Sequence, residues 1–264
     1  MKKKLILLCI FSLSIIISVY SQNTISNIVE RGEFRVGLTG NQPPYNMKNR
    51  TGELMGYEID LAGALANGMG VKLSIEEMSF SELLPALQAG KIDAIMSGMT
   101  VTAKRNAKVL FAGPYTVSGK SILAKSSVIE KLQGGKGANN EAYTITCLKG
   151  STSELFARTN MPKAEIKPVS DYNEGIEMVL NDEADAMVAD YPICMITVMR
   201  NQGKDLVTLD APMNIEPIGM ALPAGDIHFH NLIENYLEAL KLAGAIKILE
   251  DKWINDGSWL VNLE

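Results

Sequence analysis

One pattern constrains this chain more than any other: an alternation of short apolar strands and amphipathic helices that occurs twice. Residues 34–38 (FRVGL) alternate like a strand, and 57–69 carry Ile59, Leu61, Ala62 and Leu65 at helical spacing. Residues 71–78 read as a second strand, 79–89 as a helix and 92–96 as a third strand. Ser79 followed three residues later by Glu82 is a helix-start signal. After the breaking pair Gly113-Pro114 and a polar Gly/Asn loop at 136–140, the alternation resumes. It runs strand 143–147, helix 152–160, strand 164–169, helix 171–180 and strand 184–189. A third region from Glu216 holds one strand-like run, 218–222, and then helices to Trp253. This rhythm predicts α/β sheets with helices on both faces.

The two series also match each other. Under a single shift of 92 positions Phe80 falls on Tyr172, Glu82 on Glu174, Asp93 on Asp185 and Ala94 on Ala186. Two similar lobes are the expectation. The same shift lays Gly98 on Asp190, each just past the carboxyl end of a strand, which is where open α/β sheets bind ligands. If the lobes face each other, both residues face one cleft.

The chain has 264 residues, enough for two lobes with their own cores. A formal net charge of −5 gives no electrostatic reason to bind nucleic acid. With only two histidines, His228 and His230, and no His/Cys cluster, neither a metal site nor another cofactor is expected. The first residues read as an export signal: Lys2, Lys3 and Lys4, an apolar run over 5–19, and Val19 and Ser21 at cleavage-site spacing, placing the mature start near Gln22. The run is shorter than the roughly 20 residues of a membrane span; an uncleaved anchor is the alternative. Cleavage removes three lysines and no acid, taking the charge from −5 to −8. Export permits a disulfide between Cys147 and Cys194; two small buried apolar residues are the alternative. No second apolar run precedes Glu264, which predicts a free protein in the periplasm or outside the cell.

Three strand ends carry the candidate chemistry. In Ser97-Gly98-Met99-Thr100-Val101-Thr102-Ala103-Lys104-Arg105, the glycine admits a ligand to the backbone, hydroxyls follow, and Arg105 can grip a carboxylate through two parallel hydrogen bonds. A surface arginine in a polar turn is the plainer reading. In Lys149-Gly150-Ser151-Thr152-Ser153-Glu154 a helix start offers free N–H groups to an anion, or is merely capped by Ser151 or Thr152. In Val188-Ala189-Asp190-Tyr191-Pro192 the acid can accept from an ammonium group, or only cap the next helix. One arginine and one aspartate across a cleft match the two charges of an amino-acid zwitterion. Phe80 could lie over the ligand's side chain; its counterpart Tyr172 reads as structural. The chain contains no nucleophile–histidine motif, no phosphate-binding loop and no G-x-G-x-x-G fingerprint, so it is not expected to be an enzyme.

Taken together, G-Y-E-I-D-L-A at 56–62, F-S-E-L-L-P-A-L-Q-A-G-K-I-D at 80–93, S-G-M-T-V-T-A-K-R at 97–105, F-A-G-P-Y at 111–115 and A-D-Y-P at 189–192 resemble the family 3 extracellular solute-binding proteins, the polar amino-acid receptors of bacterial ABC importers. The resemblance runs from about Glu33 to Trp253. It implies two α/β lobes joined by two crossing strands, with residues 22–114 and 217–264 in the first and 115–216 inserted as the second. It also implies a monomer that closes on a free amino acid and delivers it to a membrane permease. Carried onto this sequence, Arg105 clamps the α-carboxylate with help from the N–H groups of Thr100 and Ser153. Asp190, the Thr100 hydroxyl and the Gly98 carbonyl meet the ammonium, and Phe80 packs on the side chain. Thr39-Gly40 stand where many members carry an acid, and Gln42 where many carry an aromatic. With Asn41 and Lys149, and with Thr152 at the helix start, these give a polar pocket and favour a neutral polar or acidic amino acid. The same fold includes cyclohexadienyl dehydratases, for which Glu174 and Glu183 are the acids to consider, and ligand-sensing modules. Both remain alternatives.

Overall fold

A computed structural model of the chain describes residues 23–133 and 137–263. The export signal expected over 1–21 lies outside the described residues, as does the start of the polar loop expected at 136–140. The first part runs α1 (Thr24–Arg31), β1 (Glu33–Leu38), a ribbon of β2 (Asn41–Gln42), β3 (Asn46–Lys48) and β4 (Leu54–Met55), then α2 (Tyr57–Gly68) and β5 (Lys72–Glu77). It continues through α3 (Phe80–Gln88), β6 (Ala94–Ile95), α4 (Ala103–Asn106) and β7 (Leu110–Ser118). The second part runs β8 (Lys120–Lys125), α5 (Ser126–Gln133), β9 (Thr144–Leu148), α6 (Thr152–Asn160), β10 (Glu165–Val169), α7 (Tyr172–Leu180), β11 (Ala186–Asp190), α8 (Tyr191–Arg200) and β12 (Leu206–Thr208). The chain then returns through β13 (Glu216–Leu222), α9 (Ile227–Leu242) and α10 (Ala245–Glu250), followed by a π turn at Asp251–Asn255 and a 3-10 turn at Gly257–Leu263.

Two five-stranded sheets result, ordered β5-β1-β6-β13-β7 and β10-β9-β11-β8-β12. They are wound alike. In the first, β1 is parallel to β5 and β6 while β13 is antiparallel to β6 and β7. In the second, β9 is parallel to β10 and β11 while β8 is antiparallel to β11 and β12. The internal match read from the sequence is thus a match of elements: α3 and α7 are both nine residues and begin at Phe80 and Tyr172. At the start of α3 the Glu82 carboxylate accepts from the Ser79 N–H at 3.2 Å and its hydroxyl at 2.6 Å.

Gly113-Pro114 does not end an element, as the sequence suggested, but sits inside β7. The proline lacks an N–H, and the ladder to β13 shifts register between Ile218 and Met220, so no bond is demanded there. The Gly113 N–H goes instead to Glu234 Oε1 at 2.9 Å.

The chain passes between the sheets twice, at Gly119 and between Thr208 and Glu216. The two crossings are pressed together: a Cβ on Gly119 would stand 2.0 Å from the Asn214 carbonyl oxygen, so only glycine fits. Lys120 N–H donates to Asn214 Oδ1 at 2.7 Å and Met213 N–H to the Lys120 carbonyl at 2.7 Å.

Phe34, Val36, Leu61 and Leu65 pack with Phe229 and Ile233 on one face of the first sheet. Ile122, Ile145 and Val188 pack with α6 on one face of the second. Between them a third cluster joins Leu83, Ile95 and Met99 to Tyr172, Met187 and Ile193, so apolar packing continues from one lobe to the other. Cys147 and Cys194 are buried in different clusters and, among the described residues, unpaired, which decides for the small-apolar-residue reading.

Candidate functional site

β6 ends at Ile95, and the turn beyond it leads into α4, whose start is fixed by the Thr102 hydroxyl accepting from the Arg105 N–H at 3.2 Å. This turns Arg105 inward. Its side chain is not the surface arginine that spacing alone allowed: the residue is 8 % exposed. Nη1 donates to the Thr100 carbonyl at 2.9 Å and Nη2 to the Gly150 carbonyl at 3.4 Å, and the guanidinium lies 5.4 Å from the Phe80 ring centre. Burial pushes its pKa down while the charges of Glu216 and Asp190 oppose that. Among the described residues it forms no ion pair. A buried cation held only by carbonyls and a ring has unused capacity for an anion.

The opposing charges come from the second sheet and the crossings. Asp190 is the last residue of β11, 3 % exposed, and does not cap α8 with its side chain. Directly across the ladder stands Lys120, the first residue of β8, whose ammonium bonds the Asp190 carboxylate and lies 3.0 Å from Glu216 Oε2. Glu216 opens β13. Its Oε2 accepts from the Thr100 hydroxyl of the first lobe at 2.7 Å and the Thr152 hydroxyl of the second at 2.8 Å, and Oε1 accepts from Asn214 at 3.1 Å. The two threonine hydroxyls are 3.1 Å apart, so the lobes touch here. Burial, with the nearby Glu216 charge, holds the Asp190 carboxyl above the ordinary range against the pull of Lys120 and Arg105. Burial also acts to raise Glu216, but the Lys120 charge and the bonds from Thr100, Lys120 and Thr152 outweigh it and hold its carboxyl below the ordinary range.

The third wall is the ribbon. Buried Gln42 accepts from the Ser97 hydroxyl through its side-chain oxygen and faces the Tyr172 phenol. Gly98 has φ +56°, and a Cβ there would stand 3.5 Å from both the Gln42 side-chain nitrogen and the Tyr45 ring. The Tyr45 and Ser118 hydroxyls are both buried and, among the described residues, have no hydrogen-bond partner.

Of the nine residues singled out in the sequence, the structure gathers Phe80, Arg105, Thr100, Gly98, Gln42, Thr152 and Asp190 around this node. Ser153 is fully buried, but its N–H is taken by the Ser151 hydroxyl at 3.1 Å, and its own hydroxyl has no partner among the described residues. Lys149 is exposed, its N–H bonded to the Val169 carbonyl at 2.8 Å; nothing brings its side chain to the node. Asn41 reaches across to Asp171 Oδ2 at 2.8 Å, and Tyr172, read as structural, stands fully buried in the wall. Glu174 and Glu183 are exposed, Glu174 holding the Ser170 N–H and hydroxyl at 3.1 Å each. Sequence reasoning missed Lys120, Glu216 and Tyr45. The available signal was a single charge opening each of two apolar runs, K-S-I-L-A and E-P-I-G-M-A-L.

Comparison with known proteins gives this arrangement a family. The model for bacterial extracellular solute-binding proteins, family 3, matches residues 34–256, and the chain belongs to that family. It is 28% identical over 241 residues to the ABC transporter glutamine-binding protein of Bacillus subtilis (strain 168), covering 89% of this chain and 86% of that one. It is 24% identical over 233 residues to the cyclohexadienyl dehydratase of Pseudomonas aeruginosa, covering 88% and 87%. Among solved structures, a putative binding component of an ABC transporter from Wolinella succinogenes complexed with lysine matches with a TM-score of 0.81 and 34% identity, covering 88% of this chain and 99% of that one.

Proposed function

We propose that this chain is a periplasmic or secreted receptor that captures a free amino acid between its lobes and hands it to an ABC permease. The observation that carries the reading is the division of charge. On one side is a buried guanidinium without a carboxylate partner; on the other are two carboxylates sharing a single lysine. The first side calls for an anion and the second for a further cation. A zwitterion supplies both without changing the balance of two cationic and two anionic side chains.

Arg105 and the Thr100 N–H receive the α-carboxylate, and Asp190 and Glu216, which already accept from the Lys120 ammonium, accept from the α-ammonium as well. The lobes close about the crossings at Gly119 and 209–215. Closure removes water and strengthens the charged contacts. Around the side chain stand Phe80, Gln42, Asn41 and Tyr172. With Thr39 and Gly40 in place of an acid, and the nearby carboxylates of Glu77 and Asp171 engaged by Lys48 and Asn41, a neutral polar side chain fits best.

Likeness to a dehydratase keeps catalysis on this fold as the second reading, with buried Asp190 as its acid; the lysine bound to that acid favours the receptor. A thermal-shift screen of the chain from Gln22 against the common amino acids, with prephenate and arogenate, separates the two. A shift with one or a few amino acids and no turnover is the expected outcome. Turnover of either cyclic substrate would replace the receptor with the enzyme.

A further inference from the structure

The second residue of α2, Glu58, is fully buried, although the residue two positions on, Asp60, reaches outward to Lys252 and Trp253. Burying a carboxylate is costly unless donors replace its water. Glu58 has three, and they come from three different parts of the molecule. Oε1 accepts from the Gly98 N–H at 2.8 Å and from the Tyr115 hydroxyl, and Oε2 accepts from Asn46 Nδ2 at 2.6 Å. Its place in the first turn of α2 adds the favourable end of the helix dipole. Burial pushes its carboxyl up, and the bonds from Tyr115, Gly98 and Asn46 oppose that.

Each donor leads somewhere useful. Gly98 begins the turn to Thr100, whose carbonyl holds Arg105 and whose hydroxyl holds Glu216. Asn46 passes the connection to the ribbon, its Oδ1 accepting from the Gly40 N–H at 2.8 Å and its Nδ2 standing 3.5 Å from Gln42 Oε1. Tyr115 lies in β7, which runs to the crossing at Gly119. Its ring stacks on Tyr57 with centres 5.9 Å apart, and its carbonyl accepts from the Tyr57 hydroxyl at 2.9 Å. Glu58 touches none of the groups assigned to the ligand, yet it ties together the backbone that receives the α-carboxylate, the ribbon that walls the side chain and the strand that leads to the hinge.

Resting on the receptor reading above, we propose that Glu58 is a positioning residue that sets the Gly98–Thr100 turn and the Gln42 ribbon against the hinge strand, and so fixes the geometry in which the cleft meets its amino acid. The Gly98 arm governs affinity for every ligand, because all share the α-groups. The Asn46 arm governs choice between side chains.

The test combines the amide spectrum of the ligand-free full chain with calorimetric titration of L-glutamine and L-lysine. Glu58→Gln is expected to move the Gly98 amide resonance upfield and to weaken both probes by a similar factor of about 10 or more, the loss of one charge-assisted bond at the turn. Asn46→Ala is expected to leave the Gly98 resonance near its place and to change the ratio of the two affinities. Tyr115→Phe, which keeps the carboxylate and removes the other donor to the oxygen that Gly98 uses, gives a smaller, downfield shift and serves if Glu58→Gln does not fold. A purely structural acid would lower the melting temperature and leave both affinities within about twofold; that result overturns the proposal. Should the unaltered chain bind neither these probes nor any other amino acid, the receptor reading fails by itself. The Gly98 resonance then still decides the positioning role: unmoved by Glu58→Gln, it contradicts that role.

Discussion

The two lobes share a frame and differ at its rim. In each, an aspartate just before the third strand folds back on the first: Asp93 Oδ2 accepts from the Arg35 N–H at 2.8 Å, and Asp185 Oδ2 accepts from the Thr144 N–H at 2.8 Å. The return bonds match as well, from Asp93 N–H to the Arg35 carbonyl and from Asp185 N–H to the Thr144 carbonyl, both 2.8 Å. Beyond those strands the likeness ends. The first lobe offers a glycine, a hydroxyl and an arginine; the second offers an aspartate and a helix start. The residues that repeat hold the sheets together, and the residues that do not repeat carry the charges of the site. Lys120 and Glu216 belong to neither repeat; they stand where the chain crosses between lobes.

This comparison orders the expected effects of substitution. The largest falls on the first lobe: Arg105→Ala should weaken amino-acid binding by about 3–5 kcal/mol, measured by calorimetry, because it leaves the ligand carboxylate buried without its cation. Asp190→Asn should cost about 2–3 kcal/mol by the same measurement. It should also remove a pH dependence. Because burial raises the Asp190 carboxyl in the free protein, affinity should fall as pH drops, beginning above the ordinary aspartate value of 3.8. The asparagine variant should lack that fall. Thr152→Val, which removes one of the two hydroxyls that Glu216 gathers, should cost about 1 kcal/mol of binding. On the frame, the order of effect reverses. Asp93→Ala and Asp185→Ala should lower unfolding free energy by about 1–3 kcal/mol in denaturant titrations while leaving affinity nearly unchanged. Asp93 should lose more, since it also pairs with Arg31. A large loss of affinity in either frame variant would break the division between frame and rim.

Most of the frame was legible because periodicity and the repeated Asp-Ala step mark buried strands directly. The ribbon β2–β4 was not, since its strands are two or three residues long and carry no period. β7 was hidden by Gly113-Pro114, which ends most strands and here sits at a register shift. At the rim, Arg105 and Asp190 could be read because Asp190 closes a strand and Arg105 lies on the turn beyond one. Lys120 and Glu216 could not, because a charge at the start of a strand ordinarily faces solvent. Their burial arises only when two distant segments are pressed together at Gly119 and Asn214. Lys149 shows the converse error: a cation placed well in sequence, beside a helix start, whose side chain stays outside.

The central claim is that one ligand spans the two rims, its carboxylate on Arg105 and its ammonium on Asp190. The most direct measurement is calorimetric titration of the unaltered protein with the amino acid that gives the largest thermal shift, alongside its α-amide and its des-amino analogue. Tight binding of the amino acid is expected, with a loss of at least about 100-fold for each analogue and with Arg105→Ala no longer distinguishing the acid from the amide. An α-amide or des-amino analogue that binds the unaltered protein as tightly as the amino acid would contradict it.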